Sequence, residues 1–362
     1  MRVCFICVEI FAWGKYGGLG RATRIIGREL VKRGVEVYAV IPRRGDQKPV
    51  EILDGIIVFS FETHRLMDQF SLFRQIDADI YHSEEPSFGT YLAQLAMPHK
   101  KHVVTLRDTR LREDWKIEFN LPSYSRLQVI KNWLYEDNPL VRFAVRQADG
   151  LYAAAHVVAE RAKIRYGLQV QPALLPTPII VPDQVQKSAE PSVCFVARID
   201  RRKRPELFFE LAKSFPQVQF TALGKGRDQK WEKELYGKYT NLPNLKIMGF
   251  INQFNSAEHA SILASSWVMV NTAAREGLPN SMLEAAANRC AILSSVNPDG
   301  FSSNFGYFAE KDDFAHGLEW LLEDNRWQAL GEKGCDYVRK YYEFEQTIQQ
   351  HLDIYKQLLE TN

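Results

Sequence analysis

The chain has 362 residues, 46% of them apolar, and a formal net charge of +2. That length suits two domains of ordinary size, and the apolar fraction supports packed cores and excludes a disordered chain. The near balance of charge excludes an overall field toward nucleic acid or membrane, although the basic residues are clustered.

The first ten residues, MRVCFICVEI, carry one basic residue and an apolar run that stops at Glu9, with no small-residue cleavage site after it. They read as a buried first strand, not a secretion leader. No 18 apolar residues run together, so the pattern holds no transmembrane segment. Five cysteines, Cys4, Cys7, Cys194, Cys290 and Cys335, are odd in number and scattered, which predicts a reducing compartment and a cytoplasmic protein. A spacing of three within a strand sends Cys4 and Cys7 to opposite faces, so they are read as buried thiols rather than a metal or redox pair.

Apolar runs at Val3–Val8, Val35–Ile41, Val103–Leu106 and Leu151–Ala155 predict strands, with helix-period segments such as Leu19–Arg33 between them. Short apolar strands alternating with helices imply a parallel sheet covered on both faces. Residues 171–191 contain five prolines and close on a polar run, so they are read as a linker. Alternation then restarts, with strands at Val193–Val196, Val218–Leu223, Leu245–Met248, Trp267–Val270 and Ala291–Leu293. Helices are expected near 205–214, 228–239, 256–265 and 280–288. The tail from Phe314 reads as mostly helical, with Ile348, Leu352, Tyr355 and Leu358 on one stripe. The expectation is an α/β protein of two doubly wound, Rossmann-like parallel-sheet domains, 1–180 and 181–342, facing across a cleft. In such sheets, ligands bind outside the carboxyl ends of the strands.

Residues 275–284 read REGLPNSMLE and follow the strand WVMVN, so they occupy a ligand-binding loop and the start of a helix. Pro279 suits the first turn, and Asn280 or Ser281 is expected to cap it. Glu276 then lies at the helix mouth and Glu284 about one turn inside, leaning back toward the same pocket. First-turn amides there attract phosphate. The two carboxylates make sense if each grips hydroxyl pairs on either side of a diphosphate, as in a nucleotide-sugar. Acids at a helix start also favour its dipole, so this pair alone does not decide. A second segment, FVARIDRRKRPE at 195–206, ends a strand at Arg198 and places Lys203 before a helix opened by Pro205. A diphosphate needs a divalent metal or fixed cations. No metal-ligand spacing stands at a strand end, and Arg198 with Lys203 can serve without metal. Arg201, Arg202 and Arg204 are read as a solvated basic loop. GGLGR at 17–21 is a glycine turn between strand and helix that fails the dinucleotide fingerprint, since Thr23 stands where the third glycine belongs.

Together these motifs resemble family-4 retaining glycosyltransferases of the GT-B fold, over essentially the whole chain. The carriers are Glu276 and Glu284 with seven residues between, Arg198 and Lys203 after the first strand of the second domain, and Gly17 and Gly18 after the first strand of all. The resemblance implies that Glu284 binds the ribose hydroxyls, and that Glu276 with the backbone of Gly277, Leu278, Pro279 and Asn280 holds the donor sugar. Arg198 and Lys203 would neutralise the diphosphate, Gly18 would let backbone approach it, and Gly224 and Gly226 would lie beside it. The base would sit near Phe250 and Ile251. The final helix, 343–362, would cross back to the first domain. No cofactor and no metal are implied. The partners would be a nucleotide-sugar donor, UDP-glucose foremost, and a glycan or lipid-linked acceptor in polysaccharide synthesis, with peripheral contact at the inner face of the membrane and no nucleic acid.

The chain departs from the family pattern in places. Asn288-Arg289-Cys290-Ala291 replaces a small-residue turn, Thr177-Pro178-Ile179-Ile180 replaces Asn-Gly-Val-Asp, Glu84 replaces one histidine of a His-x-His pair that keeps His82, and Arg107 replaces the histidine of T-x-H-D. Arg107 and Arg110 flank Asp108, and with His82 they form the expected acceptor side, the arginines suiting an anionic acceptor. A nucleotide-sugar epimerase on the same fold and a non-catalytic nucleotide-sugar-binding protein are the alternatives.

Overall fold

A computed structural model describes residues 1–361. The chain divides into two compact units: Met1–Leu111 with Ile130–Pro178 and the segment from Phe344 onward, and Arg112–Val129 with Ile179–Glu343.

The first unit contains β1 (Arg2–Ile6), α1 (Gly18–Lys32), β2 (Glu36–Pro42), β3 (Val50–Leu53), β4 (Ile56–Phe61), α2 (Asp68–Ile76), β5 (Ile80–Glu84), α3 (Phe88–Ala96) and β6 (Lys101–Leu106). The chain then contributes α4 (Arg112–Asn120) to the second unit, and α5 (Arg126–Glu136) runs across the division. Back in the first unit come α6 (Pro139–Arg146), β7 (Gly150–Ala153), α7 (His156–Tyr166) and β8 (Ala173–Leu174). The sheet order is β3-β4-β2-β1-β5-β6-β7-β8, parallel except for the β3–β4 hairpin at the edge. Asp54 and Gly55 turn that hairpin, both at positive φ, as a tight two-residue turn requires.

Strand β1 shows why the central strands are apolar throughout. Val3, Phe5 and Cys7 join one core cluster, while Cys4 and Ile6 join the cluster on the other face. All five cysteines are free and buried. β5 was not among the expected strands, because IYHSE reads as mixed polar. It is nevertheless buried at every position, where His82 bonds the Tyr355 and Thr105 hydroxyls and Glu84 takes Arg107.

The second unit contains β9 (Ser192–Val196), α8 (Pro205–Ser214), β10 (Gln219–Leu223), α9 (Gln229–Gly237), β11 (Leu245–Gly249), α10 (Glu258–Ser265), β12 (Val268–Asn271), α11 (Asn280–Ala287), β13 (Ala291–Ser294), α12 (Phe301–Phe305), β14 (Gly306–Phe308), α13 (Phe314–Leu322) and α14 (Arg326–Tyr342). Its sheet is fully parallel, ordered β11-β10-β9-β12-β13-β14. Strand order reverses between β9 and β12, so their carboxyl ends open a crevice where helices leave to opposite faces. Val193, Phe195, Val268 and Val270 pack on one face, and Cys194 and Met269 on the other.

The last helix, α15 (Phe344–Glu360), belongs to the first unit. Ile348, Leu352 and Tyr355 of its apolar stripe are buried against Val3, Phe5 and α1 in one cluster. No described helix is long and apolar enough to cross a membrane.

Candidate functional site

In the second unit, the loops after β9 and β12 are fastened side by side. The Thr272 hydroxyl donates to the Lys203 carbonyl at 2.6 Å, the Ala274 amide donates to the Arg202 carbonyl at 2.9 Å, and Arg204 Nε donates to the Thr272 carbonyl at 2.7 Å. This brings the Lys203 ammonium into an ion pair with the Glu276 carboxylate, both side chains mostly buried. Arg198 lies 3.7 Å from Asp200 and keeps about a third of its side chain exposed. Asp200 accepts the Lys203 amide at 3.1 Å. Burial opposes its charge, but Arg198, Arg202 and Lys203 outweigh burial and hold its carboxyl below the usual range.

The remaining basic residues of this loop are each engaged. Arg201 pairs with Asp228 at 3.1 Å and lies over the Trp231 ring. Arg204 pairs with Asp312 through both terminal nitrogens, at 2.7 and 2.9 Å. Arg202, expected in solvent, is buried and donates to Glu118 at 2.7 Å. Glu118 also accepts from Arg275 at 2.9 Å, and Asp114 accepts from Arg275 at 3.1 Å. Two acids of α4 thus neutralise two arginines, each of which directly precedes a member of the Lys203–Glu276 pair. Sequence reading passed over this group. Its signal was the spacing of Asp114 and Glu118, four apart on one helix face.

Helix α11 begins at Asn280, with Pro279 as an extended cap residue and no side-chain cap. Asn280 and Ser281 therefore lie in the first turn instead of capping it, because the Pro279 carbonyl takes the Met282 amide at 3.0 Å. Glu284 lies one turn inside, with His259 of α10 at 3.9 Å. His259 is a second group that sequence reading did not select. Gly277 and Leu278 occupy the loop between Glu276 and the helix. Gly224 has a φ of 146°, and a Cβ there would strike the Ala197 carbonyl; one on Gly226 would strike the Ile199 carbonyl. This glycine loop therefore lies directly on the backbone that flanks Arg198, and it presents Lys225 to solvent. The Gly224 amide donates to the Gly249 carbonyl at 2.8 Å, which ties in the segment carrying Phe250, itself exposed, and Ile251. Among the described residues, no group of three or more His, Cys, Asp or Glu is placed to hold a metal ion.

In the first unit, two expected acceptor-side residues are employed internally. His82 is fully buried, with Nδ1 2.6 Å from the Tyr355 hydroxyl and Nε2 2.8 Å from the Thr105 hydroxyl. Burial lowers its pKa to about 3, so it is neutral. Arg107 is buried too, and donates to Glu84 at 2.5 Å and to Thr177 at 2.9 Å. Both residues leave the solvent-facing group for the same reason: β5 is covered on both faces, and each polar group must be satisfied there by another. Asp108 and Arg110 lie 3.6 Å apart and stay partly exposed, Arg110 also pairing with Glu136. Glu85, not selected from sequence, is buried at a φ of 86° and accepts the Arg107 and Asp108 amides at 2.6 and 2.9 Å. Burial pushes its carboxyl up to about 7. At the start of α1, a Cβ on Gly17 would collide with the Glu9 carboxylate, which accepts the Gly20 amide at 3.3 Å. Gly18 is the first residue of the helix.

Two parallel sheets wound on both faces, the second with cations and carboxylates on loops at its switch point, define a protein of the GT-B architecture. Residues 16–180 match the model described as Glycosyltransferase Family 4, and residues 178–335 match Glycosyl transferases group 1. The chain belongs to the family-4 glycosyltransferases. No curated protein matches the sequence. Among solved structures, it is similar to Anabaena Alr3699/HepE in complex with UDP-glucose, at 14% identity and a TM-score of 0.73, covering 99% of this chain and 100% of that one. It is also similar to the pneumococcal O-GlcNAc transferase GtfA in complex with UDP and GlcNAc, at 10% identity and a TM-score of 0.70. A glycosyltransferase from Rickettsia africae aligns at 13% identity and a TM-score of 0.69. Each of these two alignments covers 99% of both chains. At these identities the likeness is one of fold.

Two outcomes are expected from the buried charges. Glu118→Gln leaves Arg202 and Arg275 with a single carboxylate, and should lower the free energy of unfolding by about 3–5 kcal/mol. Denaturant titration measures it, and a loss below about 1 kcal/mol would contradict the pairing. Glu85 binds its proton more tightly folded than unfolded, since its pKa rises from 4.5 to about 7. Its contribution to stability is therefore full below about pH 4.5 and lost as pH rises through about 7. Relative to the parent, Glu85→Gln should gain stability between those values and level off above them; a difference independent of pH refutes the assignment.

Proposed function

We propose that the chain transfers a hexose from a nucleoside-diphosphate sugar, UDP-glucose or a close relative, to a glycan or lipid-linked acceptor in polysaccharide synthesis, with retention of configuration and without a metal. The observation that carries this reading is the Lys203–Glu276 pair at the switch point of the second sheet, with Arg198 on the adjoining turn. HepE and GtfA, which share the fold, were solved with UDP-glucose and with UDP and GlcNAc respectively.

In this reading the donor diphosphate separates the pair. Lys203 exchanges the Glu276 carboxylate for a phosphate oxygen, and Glu276 turns to the hexose hydroxyls. Gly277, Leu278, Pro279 and Asn280 hold the sugar through backbone groups, and Glu284 takes the ribose diol. Gly224 and Gly226 flank the diphosphate, and Phe250 and Ile251 lie by the base. The bond from the anomeric carbon to the phosphate oxygen breaks, and its electrons go to the diphosphate, stabilised by Arg198 and Lys203. The acceptor hydroxyl attacks the same face and gives its proton to the departing phosphate oxygen. Glu276 steadies the positive ring. Asp108 and Arg110 are the acceptor-side groups that remain in reach of solvent. A lipid-linked acceptor would place the protein at the inner face of the membrane, in the cytoplasm.

Incubation with a panel of nucleotide-sugars, with and without acceptor extracts, tests the reading. Slow release of UDP without acceptor, accelerated by acceptor, is expected. An isomerised sugar, or binding with no turnover, would refute it. Arg198→Ala and Lys203→Ala should each lower turnover at least about a hundredfold, the usual cost of losing one group that stabilises developing negative charge. Turnover within a few-fold of the parent would remove them from the mechanism.

A further inference from the structure

Strand order in the first sheet reverses between β1 and β5, so that sheet has a switch point of its own. Glu85 follows β5 there. It is 8% exposed and holds a φ of 86°, which residues with a Cβ seldom adopt. Its two carboxyl oxygens are used unequally. Oε2 accepts the amides of Arg107 and Asp108 at 2.6 and 2.9 Å. Oε1 is bonded by no described residue, yet it is not sealed from solvent. One oxygen thus anchors the loop after β6, and the other stands open at the carboxyl end of the sheet. In that same loop Thr109 is 2% exposed, and its hydroxyl likewise has no partner among the described residues. Buried polar groups are nearly always bonded, so two neighbouring exceptions mark this end of the sheet.

The proton of Glu85 has a definite place. Burial pushes its carboxyl up to about 7, so the group is largely protonated below that pH. Asp108 acts in the same direction as burial, and Arg110 and the two amides act against it. Tyr166 of α7, itself buried, also feels its charge. Because Oε2 already takes two N–H groups, the proton belongs on Oε1. Glu85 therefore offers an O–H to solvent, and Asp108 beside it offers a carboxylate whose side chain is 30% exposed. A hydroxyl can accept from the first and donate to the second. An anion can accept from the first but is repelled by the second. The arginines of this loop do not offset that repulsion, since Arg107 is spent on Glu84, and Arg110 is matched by Glu136 and Asp108.

We infer that Glu85 is an acceptor-recognising residue, with Oε1 bonding a hydroxyl of a neutral sugar that also meets Asp108. The use of that sugar in transfer rests on the function proposed above, whereas its binding does not. An uncharged glycan end is thereby favoured over the anionic acceptor that the arginines alone suit.

Saturation-transfer NMR on the full chain with UDP present tests the inference. The probes are the methyl glycosides of glucose, galactose, mannose and N-acetylglucosamine, together with methyl glucuronide. At least one neutral glycoside should bind at about pH 6, below the Glu85 transition, and the glucuronide should not. Raising the pH to about 8 removes the Glu85 O–H and should weaken the neutral glycoside at least about threefold, the scale of one lost hydrogen bond. Glu85→Gln keeps an oxygen for the two amides and an N–H facing outward, so its affinity should hold constant over that range. Were Glu85 only a support for the loop, affinity would not follow its ionisation, and parent and variant would share one profile. Binding of none of the neutral glycosides, preference for the glucuronide, or a pH dependence that the variant retains would each overturn the inference. UDP binding is read in the same samples. A chain that takes a glycoside but no UDP therefore fails the transfer reading and not this one.

Discussion

The second unit is organised around the contact of Lys203 with Glu276. Neither residue reaches the other by its own strand. The contact exists because β9 and β12 are neighbours in a parallel sheet, because Thr272 and Ala274 bond the backbone of the adjacent loop, and because Gly224 and Gly226 leave room for that loop to settle. A cation and an anion held face to face with both side chains mostly buried satisfy each other, and under the proposed function a ligand that carries phosphate beside hydroxyls would part them.

Both units bury charge, and both satisfy it locally. In the first, hydrogen bonds join Tyr355, His82 and Thr105 in one group and Glu84, Arg107 and Thr177 in another, with His82 Nε2 3.6 Å from the Glu84 carboxylate. Burial opposes the ionised form of Glu84, but Arg107 outweighs it and holds the carboxyl below its usual range. In the second, Asp114 and Glu118 offset Arg202 and Arg275. The cost of desolvating these groups is repaid only while every partner is present, so such clusters fix loop positions more than they add stability.

Much of this was legible from residues alone. Strands β9 to β13 of the second unit lie within a residue of where apolar runs placed them, because a parallel strand covered on both faces has almost no freedom in composition, whereas the short edge strand β14 was not expected. The pattern of REGLPNSMLE put Glu276 in the loop before α11 and Glu284 about one turn inside the helix, where both lie. What could not be read follows from partners distant in sequence. IYHSE conceals β5 because its polar letters are satisfied by residues as far away as Tyr355. Arg202 looks solvated until Glu118 is brought to it, and Arg107 looks available until Glu84 is. The cap of α11 was misplaced by one residue, since Pro279 itself precedes the helix.

The interleaving of the two units along the chain also has a practical side. Residues 112–129 are translated with the amino-terminal half but fold with the other, whereas α15 does the reverse. A chimera that exchanges halves near residue 180 would strand two arginines without their acids and a sheet without its covering helix. Domain grafting in this protein calls for three crossovers beyond that one: on either side of α4, and ahead of Phe344.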